Sequence, residues 1–206
     1  MSLDQIASQI AKLRKQAAGI QEEWSRRLKA VGGDSKLTDE GKRDELDREF
    51  AELKKEIVVL REKEKGLVRD KKESLERALF GLVGSDPNKI IAWRDAQDRA
   101  ARVQDRAGAL RVYNSAQISS DDSLAKAILA KAVAYGYREI IDDYARRHPI
   151  WREELDDLAG IQAYDSDGTR KLQITLAYAL VRGVDTGIAS NGFIDFGEHV
   201  PPLSDF

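Results

Sequence analysis

The chain has no cysteine, so a disulfide framework, a thiolate zinc site and a cysteine nucleophile are all excluded. Histidine is almost absent too: His148 and His199 leave little for an imidazole metal site or for histidine general-base chemistry. Only 4 prolines interrupt the 206 residues, which leaves room for long helices. No apolar run approaches the roughly 18 residues that a membrane span needs, so no membrane partner is expected. The opening Met1-Ser-Leu-Asp-Gln-Ile lacks the basic and apolar regions of a signal peptide, and folding in a cytoplasm is expected. Phosphate-loop, dinucleotide-binding, zinc-protease and nucleophile-elbow patterns are missing as well. No enzymatic activity and no cofactor are expected.

Charge is plentiful and nearly balanced, 34 basic against 36 acidic residues, so the whole chain has no bulk attraction to nucleic acid. Its distribution is uneven. Residues 149–206 hold 4 basic and 10 acidic side chains, whereas the preceding parts are mildly basic. A basic body with an acidic end is compatible with head-to-tail contacts between copies. The run Arg61, Lys63, Lys65, Arg69, Lys71 and Lys72 is interrupted by Glu62, Glu64 and Asp70. It supports a non-specific DNA contact at most, not sequence-specific recognition.

The apolar pattern is that of a mainly α protein. Leu3, Ile6, Ile10, Leu13, Ala17, Ile20, Trp24, Leu28 and Val31 recur at three and four residues, the stripe of a coiled coil. Gly32 and Gly33 offer a left-handed helix end. Thr38 is a candidate N-cap of a second helix whose stripe runs Leu46, Phe50, Leu53, Ile57, Leu60. That stripe falters at Glu64, resumes at Leu67 and falters again at Lys71. Residues 1–81 thus read as a long antiparallel coiled-coil hairpin, its shorter arm on the order of 40 Å long. Setting Val31 against Thr38 places Leu3 opposite Gly66. Leu67, Val68, Leu75, Leu79 and Phe80 then need burial against the rest of the chain or another copy, which makes Leu67, Leu75, Leu79 and Phe80 candidate partner-binding residues.

Residues 82–164 read as a small helical bundle. Asp86-Pro87 starts a helix whose stripe continues from Trp93 through Ala96, Ala100, Val103 and Ala107 to Leu110. The cluster Ser119-Ser-Asp-Asp122 caps a next helix running from Leu124 to Tyr144 and ending at Arg146-Arg-His-Pro149. A short helix from Trp151 to Ile161 follows. The paired acids Asp142-Asp143 and Asp156-Asp157 read as solvated charge. No repeat appears at a period of about 34 residues.

Residues 165–206 change character. Asp165-Ser-Asp-Gly-Thr169 resembles the start of a calcium loop but lacks its later ligands, and a helix cap is the better reading. Residues 171–182 fit helix or strand, with the alanines favouring helix. Beyond them an extended C-terminal arm is expected. Three of the five phenylalanines lie in the last fourteen residues, and Phe193, Phe196, Leu203 and Phe206 are the adhesive side chains of an arm that docks on a partner.

Several phrases resemble a family of virion structural proteins of tailed bacteriophages of actinobacteria. They are Leu3-Asp-Gln-Ile-Ala with Glu23-Trp24, Leu75-Glu-Arg-Ala-Leu-Phe-Gly81 leading to Asp86-Pro87, Ile91-Ala-Trp-Arg-Asp-Ala96 with Asp98-Arg-Ala-Ala-Arg102, and Tyr144-Ala-Arg-Arg-His-Pro149. The resemblance spans roughly residues 1–150 and brings no chemical motif, so it assigns no catalytic or binding residue. It implies a mostly helical, cofactor-free protein encoded near capsid and neck genes. A head–tail connector (adaptor or neck) subunit forming a homo-oligomeric ring at the portal is the expectation. It would touch portal, capsid or neighbouring neck proteins, reside in the virion and be assembled in the bacterial host cytoplasm. A scaffolding or capsid-associated protein and a cellular coiled-coil chaperone or adaptor are the alternatives.

Overall fold

The computed structural model describes residues 2–81 and 86–182. The C-terminal arm, with Phe193, Phe196, Leu203 and Phe206, lies outside the described residues. The protein is mainly α, and every regular element among the described residues is helical. Two compact units divide the chain, one of residues 1–68 with 167–206 and one of residues 69–166.

In the first unit α1 (Leu3–Gly32) and the first two-thirds of α2 (Asp39–Phe80) form the antiparallel hairpin. Ser2 opens α1 with a capping box: its hydroxyl accepts from the Gln5 amide at 3.3 Å and Gln5 Oε1 accepts from the Ser2 amide at 3.1 Å. The stripe is buried as its spacing requires. Trp24, Val31 and Leu46 form one cluster with Leu28, Leu37, Phe50 and Leu53 against it, and Ala17, Ile57 and Leu60 form a second. Each large side chain so buried contributes about 1.5–3 kcal/mol.

Two details of the turn differ from expectation. Gly33 ends α1 in an ordinary right-handed conformation, φ −82°, with its amide on the Lys29 carbonyl at 3.1 Å. The register is also displaced. With Val31 against Thr38, Trp24 would face Glu45, yet its ring meets Phe50 at 5.8 Å between centroids. The first turn of α2, capped by Thr38 on the Gly41 amide at 3.1 Å, sends Lys42 Nζ to the Gly32 carbonyl at 3.1 Å. Leu37 meanwhile tucks into the Trp24 cluster. This shifts the pairing several residues along α2. The unit is completed by α8 (Gly168–Ala177), so residues 168–177 are helix and not strand. Asp167 caps it, accepting from the Thr169 amide at 2.8 Å, as the helix-cap reading expected.

In the second unit α5 (Asp122–Tyr135) is central. It is apolar on most sides, with Leu124, Ile128, Leu129, Ala132 and Val133 buried, and it meets α3 (Pro87–Ala101), α4 (Arg106–Ile118), α6 (Arg138–Arg147) and α7 (Arg152–Ser166). A 3₁₀ turn, Pro149–Trp151, leads into α7. Small residues on the flanking helices, Ala96, Ala100, Ala109 and Ala116, are buried where the helices approach closely.

Both long stripes read from this region are broken in the structure. The Trp93–Leu110 stripe is two helices, because Asp105 caps α4 by accepting from the Gly108 amide at 2.5 Å. The carbonyls released at the end of α3 turn to Lys131 Nζ, which takes protons to Ala100 O at 3.1 Å, Ala101 O at 3.4 Å and Val103 O. The Leu124–Tyr144 stripe is likewise two helices. Gly136 is left-handed, φ 72°, and the Tyr137 amide reaches back to Ala132 O at 2.8 Å, a Schellman end that only glycine adopts without strain. The last turns of α2 close this unit with Leu75 and Leu79. Gly81 ends that helix where a Cβ would lie 2.2 Å from the Arg77 carbonyl oxygen.

Candidate functional site

The most developed polar arrangement lies in the first unit, where the α1–α2 hairpin receives the chain leaving α8. Glu64 continues the stripe Ile57, Leu60, so its carboxylate points inward, and it is fully buried. Arg14 on α1 answers it with a two-pronged pair, Nε to Oε2 at 3.0 Å and Nη2 to Oε1 at 2.5 Å. The Tyr178 hydroxyl donates to Oε2 at 2.6 Å. A carboxylate removed from water is tolerable only when its charge and lone pairs are met in this way. One carboxylate thus ties together α1, α2 and the residue that follows α8.

Around this centre the hairpin holds main chain as well as side chains, with Tyr178 and Leu180 packed into its two apolar clusters. The Gln21 amide nitrogen donates to the carbonyls of Leu176 at 3.2 Å, Ala177 at 3.4 Å and Ala179 at 2.6 Å, at and just beyond the end of α8. The buried Trp24 indole donates to Val181 O at 2.8 Å. Beyond it the Arg182 guanidinium meets Asp47 at 2.9–3.1 Å on the surface. Arg27, paired with Glu45 and at 2.9 Å with Glu49, holds the two arms of the hairpin in register beside this seat. The arrangement is a binding seat for an irregular chain segment, Tyr178–Arg182, held through the carbonyl oxygens of Ala179 and Val181 and the side chains of Tyr178, Leu180 and Arg182.

Polar groups in the second unit serve packing. Asp143 accepts from the buried Tyr113 hydroxyl at 3.1 Å, from Arg146 at 2.9 Å and from Arg147 at 2.6 Å. Burial pushes the Asp143 carboxyl up, but hydrogen bonds from Arg147 and Tyr113 and the nearby guanidinium charges outweigh it and hold the group below the usual carboxylate value. Burial, then the Asp143 charge, pushes the Tyr113 phenol well above its ordinary value. Both shifts move these groups away from the neutral range in which a general acid or base works. Asp143 and Asp157 are therefore not simply solvated: Asp157 pairs with Lys71 at 3.1 Å, both side chains largely sheltered. His148 rests on the Tyr144 ring, 4.3 Å between centroids.

No protein family's sequence model, no curated protein and no solved structure matches this chain.

The residues singled out from the sequence fall in three places. Leu75 and Leu79, expected to bury against the rest of the chain or another copy, are each 4% exposed, and the last turns of α2 that carry them fall in the second unit. Leu67 and Phe80 are half-buried. Phe193, Phe196, Leu203 and Phe206 lie outside the described residues. Half of the basic stretch is answered within the chain, Lys65 by Glu62 at 2.6 Å, Arg69 by Asp70 at 3.1 Å and Lys71 by Asp157. Among the described residues no group of three or more acidic or histidine side chains is placed to hold a metal, and no helix is long and apolar enough to cross a membrane. Sequence reasoning missed Arg14, Gln21, Asp47, Glu64 and Tyr178. A glutamate at a stripe position was the one signal of the site, and it read as an interruption.

Proposed function

We propose that this chain is a non-enzymatic assembly protein of a phage virion, a head–tail connector subunit that forms a ring at the portal. The observation that carries the reading is the seat on the hairpin. It fixes the chain as far as Arg182 by the Asp47 pair and the Trp24–Val181 hydrogen bond, so the segment that follows starts from a held point. From there an extended chain would carry Phe193 up to about 40 Å away. A hairpin that holds the chain as far as Arg182, followed in sequence by Phe193, Phe196, Leu203 and Phe206, suits a subunit that must grip its neighbours in a layered particle. The acidic end of the sequence and its mildly basic body favour unlike surfaces meeting, as the heterologous contacts of a ring require. The resemblance of residues 1–150 to actinobacteriophage virion proteins supports the same reading.

Purified mature particles test it. Peptides of this chain are expected in them by mass spectrometry, at a copy number that fits one ring. A chain that is abundant during assembly and gone from mature particles would be a scaffold, and the connector reading would fail.

A further inference from the structure

The α1–α2 hairpin carries an open groove on a face other than the one that seats Tyr178–Arg182. α1 meets that segment through Ala17, Gln21 and Trp24, whereas Gly19, Ile20 and Glu23 stand on another side of the helix. With Glu56, Val59 and Leu60 of α2 they line a groove of about 670 Å³. Its floor is apolar. Ile20 and Leu60 rise into it from the hairpin core, and Val59 is 52% exposed. Glycine inside a helix costs stability relative to alanine, yet a Cβ at Gly19 would meet nothing within 4 Å. Packing among the described residues therefore does not ask for glycine there, and its size keeps the groove open. Glu23 and Glu56 lie toward the turn of the hairpin. Past the opposite end, on the groove's side, Lys12 of α1 and Lys63 of α2 are both exposed.

We propose that this groove docks the C-terminal arm of the same chain, with Phe193 and Phe196 on its floor and Asp195 and Glu198 led toward Lys63 and Lys12. The point from which the arm starts favours this occupant. Arg182 is held on Asp47 at 2.9 Å, and Val59 lies twelve residues further along the same helix, about 18 Å away. An extended chain carries Phe193 up to about 40 Å, enough to cover that distance and cross to the groove's side. A segment tethered so near meets the groove at an effective concentration on the order of millimolar, an advantage that a free partner lacks. Phe193 and Phe196 are the first aromatic side chains after Arg182, and each offers about 150–250 Å² to bury. Charge agrees with the direction of the arm. Residues 183–206 hold Asp185, Asp195, Glu198 and Asp205 but no lysine or arginine, so an arm running away from the turn brings acids to the basic end. The proposal concerns one chain by itself and stands apart from the assembly reading.

Amide hydrogen exchange of the full chain, read by mass spectrometry over residues 191–198, tests this. Docking is expected to slow exchange there about tenfold or more relative to a free peptide of the same sequence. The slowing should survive dilution by about a hundredfold, because arm and groove belong to one chain. Val59→Asp puts a charge on the floor at an exposed position, and Gly19→Leu fills the floor with a better helix former. Each should keep wild-type helical content by circular dichroism and return residues 191–198 to the free-peptide rate. Free-peptide rates in the wild type overturn the proposal. So does slowing that neither substitution relieves, which places the arm elsewhere. Slowing that disappears on dilution overturns it too, since the arm in the groove then comes from a second copy.

Discussion

Glu64 shows how a single residue joins sequence to architecture. It interrupts an apolar stripe, so periodicity alone marks a weak point, yet the side chain is fully buried and meets Arg14 and Tyr178. Glu64→Ala is expected to cost about 3–5 kcal/mol in urea unfolding, because Arg14 and Tyr178 lose their shared acceptor inside the fold. Replacing the pair together, Arg14→Met with Glu64→Leu, should recover most of that loss, since a packed apolar pair avoids the burial of charge. A double variant no better than Glu64→Ala would show that the ion pair itself is required. Asp143 gives a second test, through pH. Its folded carboxyl titrates below the ordinary value of 3.8, so the stability it adds is present above that value and is lost as pH falls through the folded titration. Wild type should therefore exceed Asp143→Asn in stability at pH 6, and the gap should close as acid approaches the titration of the folded group. Urea melts of both proteins across this range make the comparison.

Elements were legible in proportion to how local their causes are. The heptad stripe of α1, the Thr38, Asp86 and Asp121 caps and the alanine-rich character of the middle helices all follow from neighbours in sequence. The breaks at Asp105 and Gly136 were not seen, because each lies on a continuous three–four apolar stripe that says nothing about where the backbone turns. Gly136→Ala should accordingly cost about 1–2 kcal/mol, the penalty of a left-handed residue with a Cβ, while leaving helical content unchanged by circular dichroism. A neutral Gly136→Ala would mean that α5 and α6 form one straight helix. The hairpin register was missed for a related reason. It depends on where Lys42 and Leu37 settle around the end of α1, and turn length alone does not fix that. The seat for Tyr178–Arg182 was beyond reach, since its contacts join residues more than a hundred positions apart, several of them through main-chain carbonyls that carry no sequence signature.

For the molecule as a whole, the structure supplies two compact units, a helix shared between them and a C-terminal segment held on the hairpin up to Arg182. Leu75 and Leu79 are used internally. On the assembly reading proposed above, contacts between copies draw on surfaces other than Leu75 and Leu79. Native mass spectrometry of the purified protein tests the proposed assembly role most directly. A closed ring of copies joined by heterologous contacts is the expected species for a connector. A monomer that persists across the accessible concentration range would contradict the account.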